Sequence, residues 1–317
     1  PMLTQSAYLP AGVVDGFNIA EIDPETGETS FVPLSGPEDL FIDSHDQVYV
    51  ADTGNSRIVV FDSWGNYLRS FGRDVLDKPR GVFVSEEGTV YVADYGLEQI
   101  VLFDREGRKL RSFGKPDSVL FGKNNPFKPT KVIADKRNNM FVVGEGTVHG
   151  LIQLSPEGEF LGYFGGNLSK FNLKRFLQRM FYTEAQLEKL MRQLPPSATN
   201  VAIDAEGLVY TSTIGERTDG IKKLNIAGKN LLSDLWTTPD IADIAVDWLG
   251  NIYAVDSMRG RIIEYDRDGN FLFMFGNTDT GSQRLGLFKS PSGVAVSSDG
   301  RLFVADKQRN NIQIFQP

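Results

Sequence analysis

Gly36-Pro37-Glu38-Asp39-Leu40-Phe41-Ile42-Asp43, a polar turn, then Val48-Tyr49-Val50-Ala51-Asp52, then Asn55-Ser56-Arg57-Ile58-Val59-Val60-Phe61-Asp62, then Gly65 and Leu68-Arg69-Ser70-Phe71-Gly72: four short runs of apolar, β-branched or aromatic residues, separated by Gly, Asp, Asn and Ser. That is the pattern of an antiparallel meander of four strands joined by tight turns. Much of it returns in Pro79-Arg80-Gly81-Val82, Tyr91-Val92-Ala93-Asp94, Ile100-Val101-Leu102-Phe103-Asp104 and Phe113-Gly114. A period of about 40–50 residues built from short strands predicts a β-propeller, with one blade per copy.

Further copies follow. The fifth keeps Ala254-Val255-Asp256, Arg261-Ile262-Ile263 and Phe275-Gly276, and the sixth keeps Pro291-Ser292-Gly293-Val294, Val304-Ala305-Asp306 and Ile312-Gln313-Ile314-Phe315. The third and fourth are eroded, with Val142-Val143-Gly144 and Thr211-Ser212-Thr213 in place of Val-Ala-Asp. The count predicts one all-β domain over residues 1–317, a propeller of six four-stranded blades around a channel. The elements Pro-x-Gly-Val, Tyr-Val-Ala-Asp, Asn-x-Arg-Ile and Phe-Gly resemble the NHL repeat, from about residue 17 to the end. The resemblance implies the propeller fold and leaves function open, since such propellers serve as binding modules, sensors and enzymes. It also extends to NHL proteins of bacterial cell envelopes, which implies an extracellular or envelope location and a place beside a membrane-associated complex.

The sixth copy stops after its third strand, so the ring needs a fourth from elsewhere. Residues 28–34 are the expected donor, which would spare the last blade an open edge. Residues 17–23 resemble a further strand without an assigned place. The start Pro1-Met2 reads as the end of a trimmed precursor.

With 41% hydrophobic and 23% charged residues the chain can build a large core. A formal net charge of −8 argues against a nucleic-acid partner, whose backbone calls for a positive field. The absence of cysteine removes disulfides, zinc-thiolate sites and thiol nucleophiles. No apolar run reaches the length of a membrane span.

Meander parity places the turns between strands one and two, and three and four, on one face, here called lower, and the other connections on the upper face. Lower turns are short throughout, whereas every expansion falls on the upper face: 115–128, 166–196, 215–220 and 277–289. Loops of this length inside a compact domain are usually functional or disordered. Within 167–196 the helical spacing of Leu173, Phe176, Leu177, Met180 and Phe181, followed by the capping box Thr183-Glu184-Ala185-Gln186, predicts a helical hairpin. Two readings stay open for it: an apolar stripe packed on the propeller with a solvated charged face, or a lid or basic surface on which Lys174, Arg175 and Arg179 meet a partner.

The two histidines, His45 and His149, cannot make a three-histidine zinc site. Nucleophile-elbow, P-loop and dinucleotide motifs are missing. Aligned on Gly81 and Gly293, the other copies place Asp39, Lys131, Asn200 and Asp243 at the inner end of the first strand, at the upper channel mouth. Asp39, Asn200 and Asp243 are candidate ligands for a calcium-like ion, as in propeller lactonases of the gluconolactonase kind, although Lys131 and Arg80 in the same ring would repel it. The mixed ring of Asp39, Arg80, Lys131, Asn200 and Asp243 suits a polar organic ligand better. The expectation is a recognition propeller without a cofactor, binding a protein, peptide or carbohydrate on its loop-rich face. A metal-dependent hydrolase is the alternative. The recurring Asp of Val-Ala-Asp (Asp52, Asp94, Asp256, Asp306) is expected to bond the loop after it.

Overall fold

A computed structural model describes residues 8–22, 26–147, 150–165, 198–214, 220–232, 235–282 and 284–317. Six antiparallel sheets follow one another along the chain, each running from an inner first strand outwards. Blade 1 comprises Pro37–Ile42, Val48–Asp52, Arg57–Phe61 and Tyr67–Phe71, and blade 2 comprises Pro79–Val84, Val90–Asp94, Gln99–Phe103 and Lys109–Phe113. Blade 3 is Pro129–Ala134, Met140–Gly144, Leu151–Leu154 and Phe160–Phe164; blade 5 is Ile241–Val246, Ile252–Asp256, Arg261–Tyr265 and Phe271–Phe275. Blade 4 departs from the expected four strands. Among the described residues it has three, Asn200–Ile203, Val209–Ser212 and Ile221–Leu224, with a single bridge from Leu224 to Asn230 on its outer side.

The burial pattern explains the composition of each strand. Middle strands are covered on both sides by neighbouring blades, so Val48–Asp52 and Arg57–Phe61 are buried at every residue and read as nearly continuous apolar runs. Outer strands have one exposed side, and those of blades 1 and 2 therefore tolerate Arg69 and Arg111. The core lies between blades: Tyr49, Ile58 and Val60 of blade 1 pack with Val82, Val92 and Phe103 of blade 2.

The ring closes with a different segment from the one expected. Leu9–Val14 pairs antiparallel with Asn311–Gln316, outside Pro291–Val296 and Leu302–Asp306, to complete blade 6. Residues 28–34 do not close it: Thr29–Phe31 instead forms a small hairpin with Ala20–Ile22. The reason lies in their side chains and carbonyls. Thr29–Phe31 is exposed at all three positions, so it has no apolar side to press into a blade, and the carbonyls of Val32 and Pro33 accept hydrogen bonds from the Arg57 guanidinium at 2.7 and 3.3 Å. Arg57 is fully buried. It also pairs with Asp52 at 2.7 Å and with Glu21, which latches the hairpin to blade 1.

The recurring aspartates do bond the loop that follows them, and Asp52, Asp94 and Asp306 also bond the loop before the first strand. Asp94 accepts the Leu97 amide at 3.0 Å and the Asp77 and Lys78 amides at 2.8 and 3.0 Å. Asp306 likewise accepts Arg309 at 3.1 Å and Lys289 at 2.7 Å. Each such carboxylate ties two upper loops to one blade. The helical hairpin expected at 167–196, with Lys174, Arg175 and Arg179, lies outside the described residues, as does His149. Among the described residues the helical content is one 3-10 turn, Thr53–Asn55, and no helix is long and apolar enough to cross a membrane.

Removing residues 1–14 should lower the urea midpoint and cost several kcal/mol, since burial of Tyr8 and Val14 contributes about 1.5–3 kcal/mol each. Equilibrium unfolding of the truncated and full chains measures it.

Candidate ligand-binding site at the channel mouth

Five of the six first strands carry a register shift at the same place: between Pro37 and Asp39, Pro79 and Gly81, Pro129 and Lys131, Ile241 and Asp243, Pro291 and Gly293. A bulge re-aims the side chain it contains. After it, Asp39, Gly81, Lys131, Asp243 and Gly293 each pair with the residue two-thirds of the way through the Val-Ala-Asp element, and Asn200 takes the equivalent place opposite Ser212. One ring position is thus set six times by the backbone, and its occupant chosen by the sequence.

The glycines make the charged members possible. A Cβ on Gly81 would lie 2.7 Å from the Thr130 carbonyl and 2.8 Å from the Lys131 Cα. The carboxylate of the preceding blade uses the space beside these glycines: Asp39 Oδ2 accepts the Val82 amide at 2.8 Å, and Asp243 Oδ2 accepts the Val294 amide at 2.7 Å. Their other oxygens meet on Lys131, whose Nζ donates to Asp39 Oδ1 and, at 3.2 Å, to Asp243 Oδ1. Asn200 gives its amide nitrogen to Asp243 Oδ1 and, at 3.1 Å, to the Ala242 carbonyl, while its own oxygen accepts the Val201 amide at 2.6 Å. Blades 1, 3, 4 and 5 are therefore tied across the axis, and blades 2 and 6 from the sides.

All four side chains are buried or nearly so. Burial pushes the Asp39 carboxyl up to about 6, against the pull of Lys131 and with the added repulsion of Asp243. For Lys131 burial opposes the charge, but Asp243 and Asp39 outweigh it, and its ammonium is held above the usual lysine range. Below this group the channel holds a cavity of about 160 Å³ walled by Leu40, Phe83, Val132, Val201, Ile244 and Val294 among others.

Above it opens a funnel of about 580 Å³, with Lys131 as part of its floor. One wall is charged. Arg80 faces Glu38 at 3.4 Å and Glu145 at 3.5 Å, and its guanidinium lies 3.7 Å from the Tyr95 ring centroid; Lys307 pairs with Glu38. The remaining lining is small and hydroxyl-rich, including Thr130, Thr147, Thr199, Ser257 and Ser292. Thr147 Oγ1 is buried and has no hydrogen-bond partner among the described residues, and Arg80 Nε meets Glu38 as an ion pair without hydrogen-bond geometry. Such a hydroxyl is costly to bury unless something completes it.

The ring expected from the sequence thus divides in two. Asp39, Lys131, Asn200 and Asp243 come together at the floor, whereas Arg80, one residue before the ring position, sits in the wall above. The candidate ion ligands converge, but on the Lys131 ammonium: Asn200 turns its nitrogen to Asp243 and its oxygen to its own backbone, so a hard cation here would have to displace lysine. Among the described residues no three His, Asp or Glu side chains are grouped to hold a metal ion. Glu145 and Lys307 are not singled out by the sequence; Tyr95 is, with Phe121, Phe127 and Phe288, as an aromatic residue near the upper loops, but its stack with Arg80 is not. Tyr95 and Lys307 directly follow the Asp of Val-Ala-Asp and Glu145 follows its blade 3 counterpart Gly144, so one repeat position carries all three. Of the aromatic residues near the upper loops, Phe121, Phe127 and Phe288 are buried.

Lys131→Met should cost about 3–5 kcal/mol, because it leaves two buried carboxylates without their cation, and adding Asp39→Asn and Asp243→Asn should recover most of the loss. Because the folded-state pKa of Asp39 lies above its ordinary value of 3.8, the folded state holds this proton more tightly, and the contribution of Asp39 to stability falls as pH rises from about 4 to about 6. Urea titrations across that window should therefore show Asp39→Asn gaining on the natural chain with rising pH.

The NHL repeat family model matches residues 34–61 and 288–315, the inner three strands of blade 1 and most of blade 6. Human NHL repeat-containing protein 3 is 34% identical over 77 residues, a match that spans 23% of this chain and 21% of that protein's length. Among solved structures, a streptogramin B lyase superposes with a TM-score of 0.57 at 13% identity, covering 94% of this chain and 85% of the other. A catalytically inactive virginiamycin B lyase from Staphylococcus aureus, solved with quinupristin, gives 0.56 at 11% identity, covering 93% and 86%. At such identities these lyases show the shared fold alone. Repeat wording, matched segments and blade geometry agree: the chain is a six-bladed β-propeller that carries NHL repeats at residues 34–61 and 288–315.

Proposed function

We propose that this propeller is a recognition module that holds a polar organic ligand, a peptide segment or a carbohydrate, in the upper funnel without chemically changing it. The observation that carries this reading is the wall itself: Arg80 between two carboxylates and against Tyr95, facing hydroxyl-bearing residues, the buried Thr147 hydroxyl among them, across a space of about 580 Å³. Both signs of charge and many hydroxyls suit a ligand that donates and accepts hydrogen bonds. A strong single-sign field would suit a nucleic acid, and it is missing here.

The alternative, a metal-dependent hydrolase, would draw on Asp39, Asn200 and Asp243. Those groups are already spent on Lys131 and on backbone amides. His45, the one histidine among the described residues, lies in a lower turn away from the funnel. The same reading extends to an extracellular or envelope setting in which the funnel presents a ligand or partner segment to a larger assembly.

Thermal melting against a panel of oligosaccharides and short peptides tests the proposal. A binder at about 100 times its Kd adds about 2.7 kcal/mol to stability, and the resulting rise in Tm should vanish in Arg80→Ala and Glu145→Ala but persist in the lower-turn variant Glu87→Ala. Calcium should leave Tm unchanged. Calcium stabilisation lost in Asp39→Asn/Asp243→Asn would instead support the hydrolase.

A further inference from the structure

The lower turns share one construction. An Asp, Asn or Ser begins each, its side-chain oxygen accepting amides within the turn, and a residue with positive φ ends it, glycine in most, as in Asp62 to Gly65, Asn225 to Gly228 and Asp247 to Gly250, and Asp46 or Asn138 in two others. The turn carbonyl bonds in the first three span 3.0, 2.7 and 3.0 Å. Only the outer two residues are dictated by the geometry. The middle two are free to be polar, and most are: Glu86-Glu87, Arg105-Glu106, Lys136-Arg137, Ser298-Asp299.

Three turns spend the free positions differently. Trp64 in blade 1 is 75% exposed, Ile226 in blade 4 is 95% exposed, and Trp248 and Leu249 in blade 5 are 73% and 51% exposed. The chain has three tryptophans, and the third, Trp236, is 55% exposed beside Phe271 at the lower end of the outer strand of blade 5. Every tryptophan is thus kept out of the core, although it is the residue whose burial stabilises most. The fold uses part of this, since the Arg301 guanidinium lies 4.3 Å from the Trp64 ring centroid, yet the ring stays mostly exposed.

We infer that the lower face docks on the interfacial region of a lipid bilayer, with Trp64, Ile226, Trp248 and Leu249 entering it. Two observations choose lipid over a protein partner, and a third bears on the kind of lipid. The apolar residues stand on convex turn tips and offer no groove. They are distributed over blades 1, 4 and 5 on one face of the ring, so a planar surface can reach all of them. Charges on neighbouring tips pair in part, Lys136 with Glu86 at 3.6 Å and Arg267 with Glu206 at 3.9 Å, and those outside these pairs, Glu87, Glu106 and Asp299 among them, are mostly acidic, which selects neutral over anionic headgroups. Tryptophan is the side chain favoured at that depth, with an apolar body and one N–H for the headgroup region. Docked this way, the propeller turns its funnel to the solvent.

Vesicles of phosphatidylcholine, which carry no net charge, are the probe. The full chain should sediment with them and its tryptophan emission should shift to the blue. Binding should survive about 0.5 M salt, where the screening length is only a few Å. Trp248→Ser/Leu249→Ser and, separately, Ile226→Ser should weaken it by about tenfold or more with Tm unchanged, since the tips bury little in the folded protein. Glu87→Ser, on an unrelated tip, should bind as the natural chain does. Absence of vesicle binding, binding undiminished in the tip variants, or binding that needs anionic lipid and vanishes with salt would each overturn the inference; the last would assign lipid contact to basic residues such as Lys174, Arg175 and Arg179. A dimer lost in the same variants, without vesicle binding, would overturn it in favour of a second copy of the chain.

Discussion

One lysine holds the centre of this molecule. Lys131, the ring residue of blade 3, reaches between Asp39 of blade 1 and Asp243 of blade 5, and each of those carboxylates also receives an amide from the next blade. A propeller is otherwise held by side-by-side packing of apolar sheets, which is strong but does not fix what happens on the axis. Here the axis is closed by charge-assisted hydrogen bonds in a site with little access to water, where such bonds are strong and an unpaired member is expensive. The upper funnel exists as a bounded space because this group forms its floor.

That arrangement follows from which residues share one bulged position. The order around the ring is Asp, Gly, Lys, Asn, Asp, Gly. Each aspartate is followed by glycine, and the missing side chain leaves room for a carboxylate to reach the amide beyond it. Lysine and asparagine then take the two places between, and both donate. The site therefore has donors and acceptors matched among its own members. On the proposed reading, contact with a ligand is left to the wall above, where Arg80, Glu38, Glu145 and the Thr147 hydroxyl face the funnel.

The blades could be read from the sequence because strand, turn and strand repeat with the same residues, and because strands covered on both sides must be apolar. The ring position could be read for the same reason: Gly81 and Gly293 mark it, and Asp39, Lys131, Asn200 and Asp243 replace them in register. What the residues do there could not. Whether two carboxylates take up a metal or a lysine depends on how far a side chain from another blade reaches across the channel, and no local pattern encodes that distance. The closing strand escaped for a different reason. Leu9-Pro10-Ala11-Gly12-Val13-Val14 carries a proline and a glycine that suggest a turn, yet both fall at a bulge in an edge strand, where a missing amide costs nothing in the ladder. Residues 28–34 have the better strand composition, but Arg57 claims their carbonyls.

The two faces divide the labour of the sequence. Upper loops are anchored by the recurring aspartates and bring charge and hydroxyls to the funnel, whereas lower turns are fixed by their first and last residues and leave their tips free. The account stands or falls on the axial lysine. Nitrogen-detected NMR of the Lys131 ammonium tests it most directly: the account predicts a resolved signal with slow hydrogen exchange at neutral pH, unmoved by millimolar calcium. An ammonium that exchanges as a free lysine does, or one displaced when calcium is added, would contradict it.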